Sequence, residues 1–128
     1  MAVNYSAGLG AVGSYQVSGK PFVTGSLNAT TIISVQFPSV TRWIQITNHD
    51  ATSNLSCSFS ANGITATNNF FLLPTPVPTQ NLYVSSGRLE LKCSEMFFLG
   101  SANFDIIAGL TGISNNEIAN NWSGSAGI

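Results

Sequence analysis

The stretch Val35–Asn48, VQFPSVTRWIQITN, decides how the chain is read. Pro38 divides it. Proline cannot donate to a strand ladder, so a first strand, Ile32–Phe37, stops there and a second starts beyond the Pro38-Ser39-Val40 bend. Over Arg42–Asn48 the side chains alternate, with Ile44 and Ile46 on one face and Trp43, Gln45 and Thr47 on the other. The same count sets Arg42 on the apolar face. An unpaired buried charge is costly, so Arg42 is expected at the end of the sheet, its stem packed and its head on backbone carbonyls or a carboxylate. Trp43 faces the other way, towards solvent or a neighbouring subunit.

Working outward, NLSCSFSAN (Asn54–Asn62) alternates most cleanly, with Leu55, Cys57, Phe59 and Ala61 opposed to Ser56, Ser58 and Ser60. NNFFLL (Asn68–Leu73) is apolar on both faces and is expected to be covered on both. Pro74, Pro76 and Pro78 make a stiff connector. Asn81–Val84 is a short strand. In RLELK, Arg88, Glu90 and Lys92 point out while Leu89, Leu91 and Cys93 point in. That pattern fits a solvated strand face or a subunit contact. Met96–Leu99 and Phe104–Ala108 complete a set of eight strands, and SNNEIANN offers one turn of helix at most.

Residues 1–31 read differently. Gly8, Gly10, Gly13, Gly19 and Gly25 interrupt any regular period, so this segment is read as an N-terminal arm. It is either a loose terminus or a segment ordered only against neighbours, with Tyr5, Leu9, Val12, Tyr15 and Val17 to bury. The domain proper is then 32–113, followed by a tail, 114–128. Eight short strands joined by short loops point to an all-β, single eight-stranded antiparallel jelly roll, a two-sheet sandwich, with another Greek-key sandwich as the alternative. Numbered in jelly-roll order, Leu55–Ala61 is the third strand and Leu89–Cys93 the sixth. These are neighbours in one sheet of that fold, which brings Cys57 and Cys93 close together in the core.

Composition narrows the function. A chain of 128 residues fits one domain with a sizeable core. Only 7% of residues are charged, against roughly 25% in ordinary soluble proteins, so little repulsion keeps copies apart. Four scattered cations do not make the basic cluster that nucleic acid requires. No signal peptide is read, and no apolar run approaches the roughly 20 residues of a membrane span. His49 is the only histidine, and Cys57 and Cys93 fit no metal spacing. GLGAVG lacks the preceding strand of a phosphate loop. Glu90, Glu95, Asp105 and Glu117 are scattered. No catalytic, cofactor or metal site is expected. The sequons at Asn4, Asn28, Asn54 and Asn121 follow from an Asn/Ser/Thr-rich chain.

VQFPSVTRWIQITN, CSFSANGI, NNFFLL, GRLELKCSEMFFLG and FDIIAGLTGI together resemble the core of small single jelly-roll capsid proteins. These form the penton at the fivefold vertices of icosahedral double-stranded DNA viruses, in the lineage of large nucleocytoplasmic viruses, virophages and tailless membrane-containing phages. The similarity covers about Ile32–Ile113, and its motifs are packing motifs. It implies a structural virion protein assembled in the host cytoplasm, with reduced cysteines. It also implies a homopentamer that contacts neighbouring major and minor capsid proteins. Trp43, Phe70, Phe71, Arg88, Glu90 and Lys92 are the candidate subunit contacts, and Arg42, Cys57 and Cys93 the candidate structural residues. The competing expectations are a carbohydrate-binding β-sandwich stacking sugars on Trp43, Tyr83 or Trp122, and a trimeric virion spike or decoration protein.

Overall fold

A computed structural model describes residues 19–65, 69–75 and 84–115. Its strands are β1 (Lys20–Leu27), β2 (Ile33–Gln36), β3 (Ser39–Asn48), β4 (Leu55–Ser58), β5 (Phe71–Leu73), β6 (Val84–Ser85), β7 (Glu95–Leu99) and β8 (Phe104–Ser114). Among the described residues one short helix, α1 (Ala61–Thr65), follows β4. The strands form two four-stranded antiparallel sheets, sheet 1 in the order β1-β8-β3-β6 and sheet 2 in the order β2-β7-β4-β5. Consecutive strands alternate between the sheets except β4 and β5, which pair directly.

The inward residues of both sheets make one core. Sheet 1 contributes Ile44, Ile46, Phe104, Ile106 and Ala108, and sheet 2 contributes Val35, Leu55, Cys57, Met96 and Phe98. Phe98 and Phe104 meet with ring centroids 4.9 Å apart, one ring from each sheet. Period-2 alternation places the core correctly at Ile44 and Ile46 on β3 and at Leu55 and Cys57 on β4.

Several boundaries differ from the sequence reading. Lys20–Leu27, assigned above to the arm, is an edge strand antiparallel to β8. Its pattern is hidden because an edge strand is half-exposed on both faces, and a bulge between Thr24 and Leu27 breaks the period. Leu55–Ala61 ends as a strand at Ser58, because Ser60 starts α1: its hydroxyl accepts the Gly63 N–H at 2.8 Å. A side chain at Gly63 would run into the Ser58 hydroxyl, so only glycine fits that turn. Arg88–Lys92 is not a regular strand. The Gly87 φ of 70° and a tight Leu91 N–H to Leu89 carbonyl bond interrupt it, leaving one isolated bridge, Ile44 to Leu89. Among the described residues the total of eight strands is kept only because β1 replaces this segment. Residues 1–18, most of the proline connector, Asn81–Tyr83 and the helix-turn after Asn115 lie outside the described residues.

One end of the sandwich is closed by Asn48, the last residue of β3, which is fully buried. Its Nδ2 donates to the carbonyls of Ser53, Leu73 and Pro74 at 3.1, 3.2 and 3.2 Å. Its Oδ1 accepts the Asp50 N–H at 3.0 Å and the Ser101 hydroxyl at 2.8 Å. One amide thus joins the β3–β4 loop, the end of β5 and the β7–β8 loop. Replacing Asn48 by Ala should cost about 2–4 kcal/mol in urea unfolding, since buried carbonyls lose their donor. Asn48→Asp sets a carboxylate against three carbonyls and should be worse at neutral pH. Its deficit should shrink as pH falls, because a neutral carboxyl regains one donor. A neutral effect of both variants would contradict the role of Asn48 as the link.

Candidate functional site

Of the residues singled out in the sequence, Arg42, Trp43, Arg88, Glu90 and Lys92 gather on the outer face of sheet 1, around a bulge in β3. Thr41 pairs with Leu110 and Trp43 with Gly109, so Arg42 is one residue too many on β3. The extra residue resets the alternation. Thr41 and Ile44 are fully buried, while Arg42 and Trp43 both lie towards the outside. Arg42 therefore does not share the inward face of Ile44 and Ile46, as uninterrupted alternation required. Its head does reach a carboxylate: Arg42 Nη1 lies 3.4 Å from Glu90 Oε1, with the Arg42 side chain 24% exposed.

Glu90 also holds Arg88, Nη2 to Oε1 at 2.8 Å. Arg88 in turn lies over the Trp43 ring, with Cζ 5.6 Å from the centroid, within cation–π range. Trp43, Arg88, Glu90 and Arg42 are thus one connected surface group. Segment 86–93 is laid along β3 by paired backbone bonds between Leu89 and Ile44, and by Thr41 N–H to the Cys93 carbonyl at 3.0 Å. That placement points Arg88, Glu90 and Lys92 outward, and their exposure alternates with that of Leu89, Leu91 and Cys93.

A second polar group flanks the face. Asp105 on β8 accepts the Ser26 N–H at 2.9 Å through one oxygen and lies 2.7 Å from His49 Nε2 through the other. It pins the β1 bulge, where Ser26 takes a left-handed φ of 53°. Nothing in the sequence linked Asp105 to either partner, because the three meet only through strand pairing.

Phe71, a candidate subunit contact, is not the outward residue of β5. Phe71 turns inward opposite Cys57 and packs against Phe59, centroids 6.4 Å apart. Leu72 faces out, 50% exposed, so NNFFLL is not covered on both faces. Phe70 is half-buried just before β5. An apolar cleft of about 380 Å³ opens between the β5 and β6 edges, lined chiefly by Phe71, Leu73, Val84 and Leu89.

Cys57 and Cys93 are free and buried in the same core. They are not on neighbouring strands. Cys57 on β4 sits opposite Phe71 and Phe98, whereas Cys93 precedes β7 and bonds Thr41, its N–H donating to the Thr41 hydroxyl at 3.2 Å. Burial pushes the Cys57 thiol far up. It raises Cys93 from 9.0 to about 11, with hydrogen bonds from Thr41 and Glu95 pulling the other way. The Ala102 N–H, then the Thr52 N–H and hydroxyl, hold the Asp50 carboxyl below its ordinary value.

Among the described residues, no group of three or more His, Cys, Asp or Glu is placed to hold a metal ion. No helix among them is long and apolar enough to cross a membrane. No protein-family model matches the chain, and no curated protein or solved structure matches it significantly.

Two outcomes are expected from these contacts. Glu90→Gln should change stability by less than about 1 kcal/mol, and less still in high salt, because the pairs it breaks are largely exposed. Paired urea titrations at low and high ionic strength would reveal a larger effect. For the thiols, the unfolded chain ionises near 9.0 while folded Cys93 stays protonated to about 11. Unfolding thus releases protons in that window, so stability should fall as pH rises through it. A Cys57→Ala/Cys93→Ala variant should show a shallower alkaline decline than the parent. An identical slope would mean that the thiols contribute nothing to it.

Proposed function

We propose that this protein is a structural capsid protein with a single jelly-roll fold, the penton that forms a homopentamer at icosahedral fivefold vertices. One observation carries the reading: the strand order. Numbered among the described residues, the two sheets run 1-8-3-6 and 2-7-4-5, an order that supports a jelly roll over other sandwiches. The resemblance of Ile32–Ile113 to single jelly-roll pentons, the sparse charge and the exposed apolar side chains support the assembly part of the reading. In this role the chain belongs to the virion, is built into it in the host cytoplasm, and contacts neighbouring major and minor capsid proteins.

A carbohydrate-binding sandwich is less well supported, because Arg88 already occupies a ring face of Trp43. Of the other two stacking candidates, Tyr83 and Trp122, both lie outside the described residues. A trimeric spike shares the fold and differs in copy number. A reconstruction of purified particles is expected to place five copies around each vertex. Finding the chain in sixfold-surrounded capsomers, or as a trimer above them, rejects the penton and leaves the jelly roll to be judged separately.

A further inference from the structure

The two outer faces of the sandwich differ in a way that makes them complementary. On sheet 1, Val23 and Ile107 sit directly opposite each other on β1 and β8 and are 69% and 41% exposed. The next row along is Pro21, Gly109 and Trp43, so a residue without a side chain leaves the centre of the face shallow beside the indole. On sheet 2, Ser56 lies between Leu72 and Leu99 on its two neighbouring strands. Phe97 lies in the same way between Ser34 and Ser58, but Ser58 is buried beneath Gly63 of α1, so the open part of this face is the Leu72 and Leu99 side. Small side chains thus separate the apolar ones on this face too.

Charge separates the faces more sharply. All four basic residues of the chain lie on or beside sheet 1: Lys20 on β1, Arg42 on β3, and Arg88 and Lys92 on the segment laid along β3. Against them stand Glu90 and Asp105. The strands of sheet 2 carry a single charge, Glu95, whose Oε1 accepts from Gln36 at 3.4 Å.

We propose that the outer face of sheet 1, centred on Val23, Ile107 and Trp43, docks on the outer face of sheet 2, centred on Leu72 and Leu99, of a second copy of this chain. This deepens the capsid reading and rests on its self-association, though not on the number five. Packing like faces together would set the basic rim of sheet 1 against itself. Packing unlike faces sets that rim towards Glu95 and covers both apolar centres, giving an interface with a hydrophobic middle, an anchoring Trp and a charged edge. The contact is heterologous: a docked pair keeps one face of each kind free, so further copies add head to tail rather than stopping at a twofold pair, and they close into a ring when the rotation between copies fits.

The test uses the full chain with single surface cysteines, Val23→Cys on one face and Leu72→Cys on the other. The native thiols are buried and do not compete. A short bismaleimide linker tolerates differences in register. Mixing the two variants is expected to give a cross-linked pair in excess, while each alone stays a single chain. A chain carrying both substitutions should give a ladder that ends in a closed ring. Glu95→Lys should weaken assembly, and adding Arg88→Glu should restore part of it, with unfolding midpoints reported for each. Self-linked Val23→Cys or Leu72→Cys pairs as the main product overturn the proposal. So does the absence of the mixed pair at concentrations where the parent assembles, or a parent that stays monomeric up to its solubility limit. A closed ladder of another length keeps the docking and rejects five copies. A five-copy vertex without the mixed link does the reverse.

Discussion

The structure depends on a single buried amide. Asn48 terminates the central strand of sheet 1, yet two of its three carbonyl acceptors belong to the end of β5 in sheet 2 and the residue after it. A two-sheet sandwich gains nothing from backbone ladders in the direction that joins its sheets. That direction is held by side-chain packing, which has no directionality, and by the few polar groups that cross it. Asn48 supplies donors and an acceptor at one point, so the loops at that end take one arrangement. Gly100 belongs to the same arrangement: with a φ of 118°, it lies where any side chain would strike the Asn54 carbonyl.

At the other end of β3 the bulge at Arg42 has the opposite effect. It moves two large polar-tipped side chains, Arg42 and Trp43, to the outside together. Without it, Arg42 would enter the core and need a buried partner, which a chain with so few acids could hardly provide. With it, Glu90 serves two arginines at once, and the stacked Arg88 and Trp43 become the edge of an apolar face. A scarcity of charge thus concentrates the few charges present on one side of the sandwich. That asymmetry, and not the total charge, gives the two outer faces different characters.

The sequence by itself determined the all-β class and the part of the core carried by β3 and β4. Alternation is a local property, and where one face is buried the period survives any detail of pairing. Ile44, Ile46, Leu55 and Cys57 were legible for that reason. An acceptor for Arg42, either backbone carbonyls or a carboxylate, was legible as a need, since a half-buried guanidinium must be paired. Only the tertiary structure decided that β1 is a strand, because an edge strand shows alternation weakly and a bulge erases it. Only the structure decided that the partner is Glu90, that Asp105 holds both Ser26 and His49, and that Leu72 rather than Phe71 faces out. Each of these turns on register between segments far apart in the chain, and a one-residue shift in register exchanges the faces of every side chain. Local pattern carries the period but not the register, and the candidate surface is made by register.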